Sequence, residues 1–267
     1  MEEHFRTTEI SDPKFESDHL RFITVKTNNL KGRGDICVFV PPLRNAKNLP
    51  LVILLHGVYG SAWVWTQKAG VHLTAWEMMQ NKEIPPMVIA MPSDGLWGDG
   101  SGYLAHHQKD FEKWIVEDVP NAVFENIPSV GKKSELFISG LSMGGFGALR
   151  LGIKYATKFK AISAHSSITD IAQMPRFVEE LTENYIQADP LENSVLGVLK
   201  KYGGNIPKLR FDCGSEDELL LHNRQLHSSL ERLKIEHIYE EFSGGHDWLY
   251  WQEHVKNSLR FFQDQMT

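Results

Sequence analysis

An α/β fold built on a mostly parallel sheet, with helices on both faces, is the architecture this sequence predicts, and three observations predict it. From about residue 50 onward, short apolar runs at 51–55, 87–91, 135–139, 159–164, 209–213 and 237–242 alternate with longer helical stretches. Strands buried on both faces of a parallel sheet read this way. Ahead of them, β-rich segments at 20–26 and 35–40 flank the turn-like Asn28-Asn29-Leu30-Lys31-Gly32-Arg33-Gly34, which predicts an antiparallel hairpin at one sheet edge. The third observation is that the run 135–139 leads directly into Gly140-Leu141-Ser142-Met143-Gly144 and then into a helical stretch through Leu151. That is a G-x-S-x-G pattern placed on a strand-to-helix turn.

The elements between these landmarks follow from periodicity. Leu219, Leu226, Leu230 and Leu233 are spaced 7, 4 and 3 apart, which puts them on one face of a helix packed against the sheet. Residues 168–207 break the alternation with several prolines and acids. They are expected to form an excursion over the carboxyl ends of the strands, where they shape a substrate entrance. No repeat, low-complexity tract or linker interrupts the chain, so residues 1–267 are expected to form a single domain.

Composition narrows the function. A net charge of −6 lacks the basic footprint of a nucleic-acid binder. The N-terminus Met1-Glu2-Glu3-His4-Phe5-Arg6 has no basic and apolar leader, and no apolar run reaches the length of a spanning helix, so a cytoplasmic protein without a membrane segment is expected. Two cysteines, Cys37 and Cys213, are too few for a disulfide framework or a cysteine-rich zinc site, and their apolar surroundings mark them as buried free thiols.

Chemistry concentrates around Ser142. A serine hydroxyl is a poor nucleophile until a base reaches it and backbone N–H groups await the oxyanion, and a sharp turn after a strand provides for both. Among the twelve histidines, His246 is the expected base. It lies in Phe242-Ser243-Gly244-Gly245-His246, a glycine-rich turn after the last expected strand, where it can reach the strand ends. His106 and His107 are adjacent and His222 and His227 diverge on a helix; His4, His19, His237 and His254 read as surface or core residues. The expected acid is Asp217, just beyond the 209–213 strand, with Asp170 as its rival; Asp212 falls inside the strand, and Glu216 points to solvent. The order Ser, Asp, His along the chain is that of the α/β-hydrolases. Met143 is expected to supply one oxyanion N–H and Val58, after the strand ending Leu55-His56-Gly57, the other, with Tyr59 as the alternative. His56 is read as fixing that turn. Tyr59, Trp97 and Trp248 are the candidate substrate contacts, while Tyr250 and Trp251 are expected to pack against the sheet.

Four segments together resemble the esterase D and tributyrin/feruloyl esterase branch of the α/β-hydrolases, which also holds S-formylglutathione hydrolases and mycolyltransferases. They are Leu54-Leu55-His56-Gly57-Val58-Tyr59-Gly60-Ser61, Ser139-Gly140-Leu141-Ser142-Met143-Gly144-Gly145-Phe146-Gly147-Ala148-Leu149, Cys213-Gly214-Ser215-Glu216-Asp217 and Gly244-Gly245-His246-Asp247-Trp248-Leu249-Tyr250-Trp251. The resemblance implies an α/β-hydrolase fold and favours Asp217 over Asp170. It implies no metal or organic cofactor. The chain departs from many relatives at Asp94-Gly95-Leu96-Trp97-Gly98-Asp99-Gly100-Ser101-Gly102-Tyr103, read as a flexible loop bordering the substrate. The expected activity is hydrolysis of a small-molecule ester with a short or aromatic acyl group. A thioesterase of the S-formylglutathione type or an acyltransferase is the alternative, and a non-catalytic binding module is disfavoured because no member of the Ser-Asp-His set is missing.

Overall fold

The computed structural model describes residues 4–266. Nine strands form one sheet: β1 (Thr8–Ile10), β2 (Leu20–Thr27), β3 (Gly32–Phe39), β4 (Leu51–Leu55) and β5 (Val88–Pro92), then β8 (Leu136–Leu141), β9 (Ala161–His165), β10 (Lys208–Gly214) and β11 (Ile238–Phe242). A separate short ribbon pairs β6 (Ala105–His106) with β7 (Lys109–Asp110). The sheet order is β1-β2-β3-β5-β4-β8-β9-β10-β11. β1, β2, β3 and β5 pair antiparallel in that order, and every pair from β5 to β11 is parallel.

Pleating explains why the central strands are apolar throughout. Leu51, Ile53 and Leu55 of β4 face one core, while Val52 and Leu54 face the other, because successive side chains point to opposite faces. On the first face lie α3 (Phe111–Lys113), α4 (Val119–Asn126), α5 (Met143–Lys154), α6 (Val195–Tyr202) and α7 (Leu220–Arg232). The other face is covered by α1 (Val64–Gln67), α2 (Val71–Gln80) and α8 (Trp248–Gln263). No helix among the described residues is long and apolar enough to cross a membrane.

The structure differs from the sequence expectation at three points. The hairpin β2–β3 is not the sheet edge, since the partly exposed β1 pairs outside it. β11 is not buried on both faces: as the opposite edge it carries Glu240 and Glu241, which pair with Arg210 and Arg224. Leu219, Leu226 and Leu230 are buried, but the helix ends at Arg232 and leaves Leu233 48% exposed. The excursion 168–207 is structured, with 3-10 turns at Ile171–Arg176, Thr182–Asn184 and Pro190–Asn193 followed by α6. A fully buried Arg150 on α5 anchors it by pairing with Glu192, and with Glu112 of α3. A buried guanidinium is tolerable only when paired in this way.

Both cysteines are free and buried. Burial pushes the Cys37 thiol up to about 12, so it stays protonated and unreactive.

Candidate active site

The parallel register brings the carboxyl ends of β4, β8, β9, β10 and β11 to one edge, with Leu55 opposite Gly140 and Leu141 opposite His165. The chain leaves β8 at Ser142, which adopts φ 53° and ψ −118° before α5 begins. Such a conformation is strained for a non-glycine residue and persists only where its surroundings enforce it. Here the Ser142 N–H donates to the His165 carbonyl (2.9 Å), and the Ser142 carbonyl accepts from Phe146 and Ile168. The glycines two residues either side are required by close approach. A Cβ on Gly140 would lie 2.3 Å from the Gly144 carbonyl oxygen, and one on Gly144 would lie 2.5 Å from backbone oxygens of Leu55 and His56.

Asp217 and His246 converge on this serine from the ends of β10 and β11. His246 Nε2 is 2.9 Å from Ser142 Oγ, and its Nδ1 is 2.9 and 3.1 Å from the Asp217 carboxylate oxygens. An ionised carboxylate can only accept, so the Nδ1–H donates to Asp217 and Nε2 accepts the serine O–H. Burial alone would raise the Asp217 carboxyl. The hydrogen bond and charge of His246, with the Leu219 N–H, outweigh it and hold the group below the ordinary carboxylate range. Asp170 instead caps the turn Ile171–Arg176 by accepting from the Ala172 N–H. Asp212 is buried inside β10, on His165 and Arg210.

The turn after β4 faces the same serine. His56 Nε2 accepts from the Asp94 N–H, which leaves its Nδ1–H for the Gly57 carbonyl at 2.6 Å, so this histidine is bonded to backbone on both sides. The Tyr59 N–H donates to the Asp99 carbonyl (2.7 Å). The Tyr59 N–H is thus committed to that carbonyl. Met143 is the first residue of α5, where an N–H has no intrahelical acceptor.

A cavity of about 440 Å³ opens beside Ser142 and His246. Val58, Tyr59 and Trp248 line it, and so do Trp63, Phe177 and Trp251. Trp251 packs in the core and also walls the cavity, its ring edge-on to His246 at 5.0 Å. Phe177 arrives from the excursion and stacks on His246 at 5.2 Å. Only tertiary folding brings it there, and no local motif marks it.

Trp97 is a correction, because it does not line this cavity. Gly95, Leu96 and Gly98 adopt positive φ in its loop, and the indole packs on His106 and Tyr185. Nor is the loop unsupported, since the buried Asp94 accepts from the Leu96 and Ser101 N–H groups. It packs behind Met143 and Val58, where a Cβ on Gly100 would meet Met143 Sδ at 2.5 Å and Val58 Cγ1 at 3.3 Å. His106 and His107 bond to each other through Nδ1 at 2.9 Å on the β6–β7 turn. Among the described residues no group of three or more His, Cys, Asp or Glu is placed to hold a metal ion.

The Esterase family model matches residues 27–262. An acetyl esterase from Caldicellulosiruptor saccharolyticus is 33% identical over 237 residues, covering 81% of this chain and 84% of that protein. Among solved structures, a ferulic acid esterase superposes with a TM-score of 0.78 at 21% identity, covering 97% of this chain and all of the other. An S-formylglutathione hydrolase from Agrobacterium tumefaciens gives 0.78 at 18% identity, covering 98% and 99%. These two likenesses establish the α/β-hydrolase fold. With the family match spanning most of the sequence, the chain belongs to the esterase family of the α/β-hydrolases and is a serine carboxylic ester hydrolase.

Proposed function

We propose that the protein hydrolyses small esters of short or aromatic carboxylic acids through an acyl-enzyme on Ser142. The observation that carries this reading is the unbroken hydrogen-bonded path from Ser142 through His246 to Asp217, opening onto an aromatic-walled cavity. Ser142 Oγ attacks the ester carbonyl as His246 Nε2 takes its proton, and the N–H groups of Met143 and Val58 receive the oxyanion. The imidazolium then protonates the departing alcohol. Water, deprotonated by the same histidine, attacks the acyl-enzyme and releases the acid and the free serine. Asp217 holds the imidazole in the reactive tautomer and stabilises the imidazolium.

The cavity has room for a compact acyl group, and Trp63, Phe177, Trp248 and Trp251 favour small apolar or aromatic ones. The related acetyl esterase supports the short-chain end of this range. Labelling with a fluorophosphonate and mapping the adduct to Ser142 tests the nucleophile. Comparing kcat/KM on p-nitrophenyl acetate, S-formylglutathione and a feruloylated sugar tests the substrate class. Preference for the oxygen esters supports the proposal, and a dominant rate on the thioester would replace it with a thioesterase.

A further inference from the structure

Beneath the site lies a second serine, histidine and aspartate arrangement that the sequence did not reveal. His165 and Asp212, opposite each other on β9 and β10, are both fully buried. His165 Nδ1 lies 2.9 Å from Asp212 Oδ2, and its Nε2 lies 2.7 Å from Ser258 Oγ on α8. Ser258 in turn is 2.7 Å from Ser163 Oγ. Arg210 and the Tyr250 hydroxyl also donate to the Asp212 carboxylate, at 2.6 and 2.8 Å. Burial would raise this carboxyl, but His165 and Arg210 bring it down to about 2, so it is ionised. The donor at this end is therefore fixed: Nδ1–H to Asp212.

With Ser258 1% exposed, this chain is closed to substrate, and a buried polar network is costly unless fully satisfied. Its ends reach the two halves of the active site. The His165 carbonyl accepts the N–H of Ser142 at the strained turn. Tyr250 lies under the loop that carries His246, where a Cβ on Gly244 would meet its ring carbon Cδ2 at 2.9 Å. Asp247, next to His246, caps α8 by accepting from the Tyr250 N–H. One network thus grips both the nucleophile's turn and the base's loop.

We propose that Ser258, His165, Asp212 and Tyr250 form a positioning network that sets the separation of Ser142 and His246. This rests on the acyl-enzyme reading above. Tyr250→Phe is the direct test, because it keeps the ring under Gly244 and removes only the link to Asp212. Kinetics on p-nitrophenyl acetate are normalised to sites titrated with a fluorophosphonate, so that misfolded protein is not counted. We expect kcat per site to fall by roughly ten- to a hundredfold with KM changed by less than about twofold, the effect of a small misplacement of reacting groups. The acid limb of kcat moves to lower pH, since a drifting imidazole loses part of the Asp217 carboxylate's hold on its protonated form. A residue with a merely structural role would change the number of titrated sites and leave kcat per site and the acid limb in place.

Ser258→Ala, which frees the far side of His165, is expected to act in the same direction with a smaller loss. Unchanged kcat per site and an unmoved acid limb in whichever of the two variants folds would overturn the network. Ser142→Ala separates this from the proposed function: if it is inactive while both positioning variants behave as the parent, only the network fails. Turnover retained by Ser142→Ala would remove the acyl-enzyme itself.

Discussion

Asp217→Asn is a test whose size can be worked out from the hydrogen bonds. Asp217 Oδ1 accepts the Leu219 N–H at 2.8 Å, and Oδ2 is the nearer oxygen to His246 Nδ1 at 2.9 Å. In the asparagine variant the Leu219 N–H must keep facing an acceptor, so the amide oxygen takes the Oδ1 place. The amide NH2 then stands where Oδ2 was, aimed at Nδ1. Two donors cannot share that contact, so the imidazole shifts its proton to Nε2 and can no longer accept from Ser142. The geometry survives but the tautomer is wrong, a change that costs on the order of 10⁴ in kcat, or about 5 kcal/mol of barrier. Initial rates on p-nitrophenyl acetate would measure it, with circular dichroism to show the fold intact. Asp170→Asn is the control: Asp170 caps a turn through the Ala172 N–H, and asparagine caps nearly as well, so its rate should stay within about twofold. A loss of less than about tenfold in Asp217→Asn, or a larger loss in Asp170→Asn, would refute the assignment of the acid.

Ser142→Ala and His246→Ala should each abolish turnover to the same residual level, and the double variant should be no worse, because the pair acts as a unit; an additive double loss in kcat measurements would count against a shared mechanism. The rate should rise with pH across the range where histidines titrate, since the base must be neutral. Asp217, held below ordinary carboxylate values, stays ionised there, so a kcat/KM profile with a two-proton acid limb would contradict the scheme. Asp212, depressed to about 2, contributes stability that is complete above its unfolded value of about 3.9 and lost as pH falls toward the folded one. The gap in urea midpoint between the parent and Asp212→Asn should therefore be constant from about pH 8 to about pH 5 and shrink below about pH 4. Among p-nitrophenyl esters, acetyl to butyryl should be preferred over chains of about ten carbons, each methylene counting for at most roughly 1–3 kcal/mol, and Phe177→Ala should narrow that preference by opening the wall over His246. A preference rising steadily through the long chains would mean that the cavity continues deeper than its aromatic walls.

The sequence by itself determined strands β2 to β5 and β8 to β11, the turn at Ser142 and the order of Ser142, Asp217 and His246. Each of these is written locally: apolar runs of strand length, glycines where an added Cβ would lie within 2.5 Å of backbone oxygens, and polar residues just past a strand end. Parallel pairing then places residues that follow strand ends on the same edge, which is why three distant positions could be read together. What local pattern does not encode was decided by packing. Phe177, on an excursion that Arg150 and Glu192 tie to α5, stacks on His246, and Trp97 packs on His106 and Tyr185 instead of lining the cavity. Three residues as short as β1 carry too little pattern to announce an edge strand, and β11 is the opposite edge of the sheet among the described residues. His165, Asp212 and Ser258 lie on three elements far apart in sequence, and each taken alone is an ordinary polar residue. Their meeting between the sheet and α8 depends on register and helix rotation, quantities that exist only once the whole core has closed.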